Sequence, residues 1–200
     1  KKMDTVDVEF DYMVKLVMIG DSSVGKTSFI QRLNDPDAVL ETNATIGYEL
    51  LSKFIEHNDK YIQVHLWDTA GQEKHRAMVQ TYYRRSAGAI LLYDITDRTS
   101  FDNLHKWVKE LRENNEDSSK LVVVGNKTDL EDRRAVYEHE GEEFAMNNDA
   151  AFFEVSALTG ENVDRVFDTL ISKIVECLQQ MELEAPMNKV SDVKKSVISC

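Results

Sequence analysis

Apolar residues follow two rhythms along this chain of 200 residues. Met13 to Ile19 reads as a short, β-branched buried strand, and three further runs, Ala87 to Tyr93, Leu121 to Gly125 and Ala151 to Val155, have strand length and the composition of strands buried on both faces of a parallel sheet. A different pattern occupies Tyr61 to Leu66, where Ile62, Val64 and Leu66 alternate with Tyr61, Gln63 and His65. With Leu50 to Glu56 before it and His57, Asn58, Asp59 and Lys60 between, it predicts an antiparallel hairpin. Helical spacing sets Phe101, Leu104, Trp107, Val108 and Leu111 on one face after the capping candidates Thr99 and Ser100. A second helix carries Val163, Val166, Phe167, Leu170, Ile171, Ile174, Val175 and Leu178 after Thr159 and Gly160.

Strands alternating with helices predict a doubly wound α/β sheet, which binds ligands beyond the carboxyl ends of its strands. The expected organisation is an N-terminal extension over 1–12, one folded domain over 13–180 and a flexible tail over 181–200, where polar residues, Pro186, Lys189, Lys194 and Lys195 replace the pattern. No internal repeat interrupts it. One domain also suits the length.

Composition narrows the partners. A formal charge of −12 offers no basic footprint for nucleic acid and opposes adsorption to a bare anionic membrane. Two cysteines, Cys177 in a helical pattern and Cys200, make no disulfide framework, so a reducing compartment is expected. Asp4, Asp7, Glu9 and Asp11 interrupt the opening residues, and no apolar run approaches the ~18 residues of a membrane span. His57, His65, His75, His105 and His139 do not cluster, and the acidic run Glu138 to Glu143 suits a solvated helix face.

The chemistry begins at Gly20-x-x-x-x-Gly25-Lys26-Thr27, which follows a predicted strand and opens a helix. In that context backbone N–H groups cradle phosphates, a lysine neutralises them and a hydroxyl ligates magnesium. Such a loop indicates a nucleotide without choosing the base or the reaction, because kinases, ATPases and GTPases share it. Asn126-Lys127-Thr128-Asp129 follows the run Leu121 to Gly125, and a carboxylate there can accept from both N1–H and the 2-amino group of guanine, a donor pair adenine lacks. A phosphotransferase acting on a small acceptor would need an arginine-rich lid, which is not visible. A module that only holds nucleotide is the other alternative.

Five separated motifs, the phosphate loop, Thr45-Ile46-Gly47, Asp68-Thr69-Ala70-Gly71-Gln72-Glu73, Asn126-Lys127-Thr128-Asp129 and Ser156-Ala157, resemble those of the Ras superfamily of GTPases in order and spacing, from Val14 to about Leu178. Leu66-Trp67-Asp68, Tyr82-Tyr83-Arg84 and Tyr93-Asp94-Ile95-Thr96 point within it to the Rab family. The resemblance implies a three-layer P-loop G domain: a six-stranded, mostly parallel sheet with one antiparallel edge strand and helices on both faces. It implies nucleotide contacts from Ser22, Ser23, Val24, Gly25, Lys26, Thr27, Ser28, Thr45, Gly71, Asn126, Lys127, Asp129, Ser156, Ala157 and Leu158. Magnesium would be held by Thr27, Asp68 through water, and Thr45 while a γ-phosphate is present. Gln72 would orient the attacking water, with Lys26 and Thr45 completing the catalytic set.

The same resemblance implies slow GTP hydrolysis and a conformational switch in vesicle traffic, cycling between cytoplasm and the cytosolic face of membranes. Expected partners are an exchange factor, a GTPase-activating protein, a GDP-dissociation inhibitor and effectors docking on Ile46, Leu50, Trp67 and Tyr82, with the chain itself a monomer. Geranylgeranylation of Cys200 would give the membrane attachment. Several positions depart from the family: Ala38 and Leu50 stand where aromatics are usual, Leu158 replaces a lysine, Ser22 a frequent glycine and His75 an aromatic. Ala38 lies twelve positions after Lys26, where the family packs an aromatic edge against guanine, so faster nucleotide release is expected.

Overall fold

The computed structural model describes residues 10–40, 48–69, 82–115 and 119–184. Six strands, β1 Tyr12–Ile19, β2 Tyr48–His57, β3 Lys60–Thr69, β4 Gly88–Asp94, β5 Lys120–Asn126 and β6 Ala151–Val155, form one sheet in the order β2-β3-β1-β4-β5-β6. All neighbours are parallel except β2 and β3. This is the sheet that the family resemblance implies, with β2 as the antiparallel edge. Asn58 and Asp59, at φ 51° and 58°, supply the two left-handed positions that a tight hairpin turn needs.

Alternation along the buried strands divides the apolar interior in two. Tyr12, Val14, Leu16 and Met18 of β1, with Ile90, Leu92, Val122 and Val124, face α1 (Lys26–Asn34) and α5 (Val163–Glu184). Val17 and Ile19, with Leu91, Tyr93 and Val123, face α3 (Leu104–Asn114) and α4 (Glu138–Asn147). Buried on both faces, β1, β4 and β5 contain almost no polar position. Their carboxyl ends all open on the same side, with β1 between β3 and β4 at the point where the strand order reverses.

Three boundaries differ from expectation. The helix expected over 101–111 is two pieces, α2 Arg98–Asp102 and α3, meeting at Asn103. Asp97, rather than Thr99 or Ser100, caps the first piece: its carboxylate accepts from the Thr99 amide, whereas the Ser100 hydroxyl turns back onto the Asp97 carbonyl. Finally, α5 continues through Met181 to Glu184 instead of dissolving at 181. Residues 179–184 are strong helix formers without an apolar stripe, and no breaker intervenes before Pro186, so propensity extends what periodicity had ended. Glu182 lies beside Tyr12, whose hydroxyl is pushed above its ordinary pKa first by burial and then by that carboxylate.

Candidate nucleotide site

The chain leaves β1 at Ile19 and turns through 20–25 into α1. Two close approaches require glycine. A Cβ on Gly20, at φ 142°, would lie 2.2 Å from the Leu92 carbonyl oxygen, and one on Gly25, at φ 100°, would lie 2.3 Å from Asn126 Nδ2. Gly25 caps α1 without a side-chain bond, which leaves the first amides of the helix for an anion. Val24 is buried beneath the loop, whereas Ser22 and Ser23 are exposed and Ser28 is half-buried on α1.

Lys26 is only 6% exposed, and among the described residues its ammonium donates to the backbone carbonyls of Gly20 at 2.9 Å and Asp21 at 2.6 Å. Burial lowers its pKa to about 8 against the opposing pull of Asp68 and Asp21. A phosphate at the loop would add negative charge and favour the protonated form. At the next position, Thr27 Oγ1 donates to Asp68 Oδ2 at 2.6 Å, joining the phosphate loop to the end of β3. A hydroxyl and a fully buried carboxylate are hard oxygen donors, and they fit magnesium, which takes oxygen ligands and shares them with phosphate.

The segment after β5 is stitched onto this loop. Asn126 Nδ2 donates to the Val24 carbonyl at 2.8 Å while its Oδ1 accepts from the Ala157 amide at 3.0 Å. Lys127, in the left-handed region at φ 73°, donates to the Ser23 carbonyl at 2.8 Å and pairs with Asp94 Oδ2 at 2.6 Å. Ser156, fully buried, donates to Asp129 Oδ1 at 2.6 Å, which fixes the orientation of an exposed carboxylate. Leu158 is 59% exposed and joins the site through its backbone.

These bonds bring together Gly25, Lys26, Thr27, Asp68, Asn126, Lys127, Asp129, Ser156 and Ala157 from four separate stretches of chain. Leu50, Trp67 and Tyr82 also converge: Leu50 pairs with Trp67 across β2 and β3, and the Trp67 and Tyr82 rings stand 5.4 Å apart. Thr45, Ile46, Gly71, Gln72, His75 and Cys200 lie outside the described residues.

Three contributors escaped sequence reasoning. Asp94 had been read only within Tyr93-Asp94-Ile95-Thr96, but it ends β4 and holds Lys127. Asp21 fills a variable place in the phosphate-loop pattern, and its carboxylate accepts from Asn103 Nδ2 and Trp107 Nε1, each at 2.6 Å. Arg32, on α1, reaches the carbonyls of Ala157 and Leu158. No spacing rule links either residue to partners more than eighty positions away.

Comparison with known proteins agrees with this geometry. The family model described as "Ras family" matches residues 15–176. The GTP-binding protein ypt3 of Schizosaccharomyces pombe is 42% identical over 177 residues, covering 88% of this chain and 83% of that protein. Ras-related protein Rab2BV of Beta vulgaris is 39% identical over 180 residues, covering 90% and 84% of the two chains. Ras-related protein Rab11A of Nicotiana tabacum is 39% identical, with 90% and 83% covered. With the phosphate loop, the segments stitched onto it and relatives this similar over most of its length, the chain belongs to the Rab family of Ras-superfamily small GTPases.

Proposed function

We propose that this chain binds GDP and GTP with Mg2+, hydrolyses GTP slowly and switches conformation to recruit effectors in vesicle traffic. The observation that carries the reading is Asn126, which bonds the phosphate loop through Val24 and the Ser156-Ala157 segment through the Ala157 amide. That residue fixes the distance between a phosphate cradle and a base-reading carboxylate, as a guanine nucleotide requires.

In this reading Gly25 and the first amides of α1 receive the phosphates, and Lys26 gives its ammonium to them in place of carbonyl partners. Magnesium, when bound, would neutralise phosphate charge next to Thr27 and Asp68. Asp129, oriented by Ser156, reads N1–H and the 2-amino group of guanine. Thr45 and Gly71 sense the γ-phosphate, and Gln72 orients the attacking water. Losing that phosphate removes their shared partner, which releases both segments. An external GTPase-activating protein accelerates the slow step, and an exchange factor and a GDP-dissociation inhibitor govern loading and membrane cycling. Effectors use Ile46, Leu50, Trp67 and Tyr82, where an aromatic pair beside an exposed leucine suits a hot spot. A prenyl group on Cys200 attaches the chain to membranes; no helix among the described residues is long and apolar enough to cross one.

The test is release of a fluorescent guanine nucleotide from purified protein, chased with GTP or ATP, with and without magnesium, followed by phosphate production over hours. Displacement by GTP alone, quickened by removing magnesium and accompanied by slow hydrolysis, is the expected result. Equal displacement by ATP would overturn the base assignment, and guanine-specific binding without phosphate production would leave only a holding module.

A further inference from the structure

Arg32 points from α1 toward two loops at once. Its Nε donates to the Ala157 carbonyl at 3.1 Å and its Nη2 to the Leu158 carbonyl at 2.7 Å. Its Nη1 donates to the Pro36 carbonyl, one turn beyond the arginine. The stem runs past Gly160, where a Cβ would lie 3.4 Å from Arg32 Cδ. One planar guanidinium therefore gathers three carbonyls, from the segment that meets the base and from the segment that leads out of α1 toward Thr45.

The opposite side of the same backbone is held independently. Ala157 gives its amide to Asn126 Oδ1 at 3.0 Å and its carbonyl to Arg32 at 3.1 Å. The Leu158 side chain, being 59% exposed, contributes little packing, so this loop is anchored chiefly through its main chain. Val39, 92% exposed, and Ala38, half-buried, give the second segment little apolar anchorage of its own.

We propose that Arg32 is a positioning residue for guanine retention: it fixes the backbone at Ala157 and Leu158 on the base side and pins the Pro36 segment to the same point. The two walls of the base site then loosen together when this fork lets go. This inference rests on the guanine-nucleotide reading above. Lysine cannot substitute fully, because a single ammonium lacks the fork that spans carbonyls on separate loops.

The experiment uses the whole chain and measures release of fluorescently labelled GDP and inosine diphosphate from the parent, Arg32→Met and Arg32→Lys proteins. Arg32→Met is expected to quicken GDP release about tenfold, with Arg32→Lys in between, since bonds from a charged donor are being removed. The same factor is expected for inosine diphosphate, which lacks the 2-amino group that Asp129 reads, because Arg32 acts on a different side of the base. Release at the parent rate in either variant, or a factor that vanishes with inosine diphosphate, would overturn the proposal. Should Arg32→Met fail to fold, the lysine variant decides by the same criteria. A parent protein that retains no guanine nucleotide would instead refute the underlying reading.

Discussion

Trp107 donates its indole N–H to Asp21 Oδ1 at 2.6 Å, and this bond ties α3 to the phosphate loop. Asn103, at the joint between α2 and α3, takes the other oxygen at 2.6 Å, while the Asp21 carbonyl receives the Lys26 ammonium. The backbone that positions Lys26 is thus braced from the core on the far face of the sheet. Replacing Trp107 by Phe keeps an aromatic ring but removes the donor, at an expected cost of about 2 kcal/mol in urea unfolding, with quicker nucleotide release. Unchanged stability and release would show that Asp21 needs no such brace.

Asn126 is 1% exposed and spans two loops, so Asn126→Ala strands the Val24 carbonyl and the Ala157 amide together. Nucleotide-free protein should lose about 2 kcal/mol or more, and GDP release should quicken by at least roughly tenfold. Calorimetric melting and a fluorescence chase check the two parts. A variant that melts earlier but holds nucleotide as firmly as the parent would confine Asn126 to a structural role.

Gly25→Ala meets two obstacles, a left-handed backbone at φ 100° and a contact of 2.3 Å with Asn126 Nδ2. Affinity for GDP should fall by about a hundredfold, because strain of this kind costs a few kcal/mol and the loop must move to accept the methyl group. Titration calorimetry measures it; parent-like affinity would mean the loop rearranges freely.

Chelating magnesium from the GDP complex should quicken release on the order of tenfold, because phosphate charge is then left beside the Asp68 carboxylate. Thr27→Ala removes one proposed ligand and the donor to Asp68, so the variant should release faster at the outset and respond less to chelator. An undiminished response in Thr27→Ala would remove Thr27 from the metal shell.

Ala38 follows a turn in which the Asp35 carboxylate accepts from the Asp37 amide and the Asp35 carbonyl from the Ala38 amide. Ala38→Phe places a ring at this turn, and an aromatic contact with the base is worth about 1 kcal/mol, or several-fold in release rate. Stopped-flow release from the variant should slow accordingly. No slowing would show that this position does not reach the nucleotide.

The sheet was legible because its strands are predominantly apolar runs of strand length, and the phosphate loop was legible because glycine, lysine and threonine have fixed spacing. Asn126 and Asp129 were found by their place after a strand. Asp21 and Arg32 were not, because their roles depend on partners brought near only by the fold, Trp107 in one case and the carbonyls of Ala157 and Leu158 in the other. Carbonyl acceptors leave no trace in side-chain identity. The true end of α5 escaped for another reason: beyond Leu178 the helix is maintained by propensity rather than by an apolar stripe.

With its 22 residues, α5 is about 33 Å long, and Glu182 near its end lies beside Tyr12 at the start of β1. The phosphate loop leaves the opposite end of that strand. The molecule therefore has a polarity: the last described turns of α5 lie at one end of β1, and Lys26 and Asn126 at the other. A surface meeting the protein at the Tyr12 end would leave the nucleotide site proposed above facing away from it.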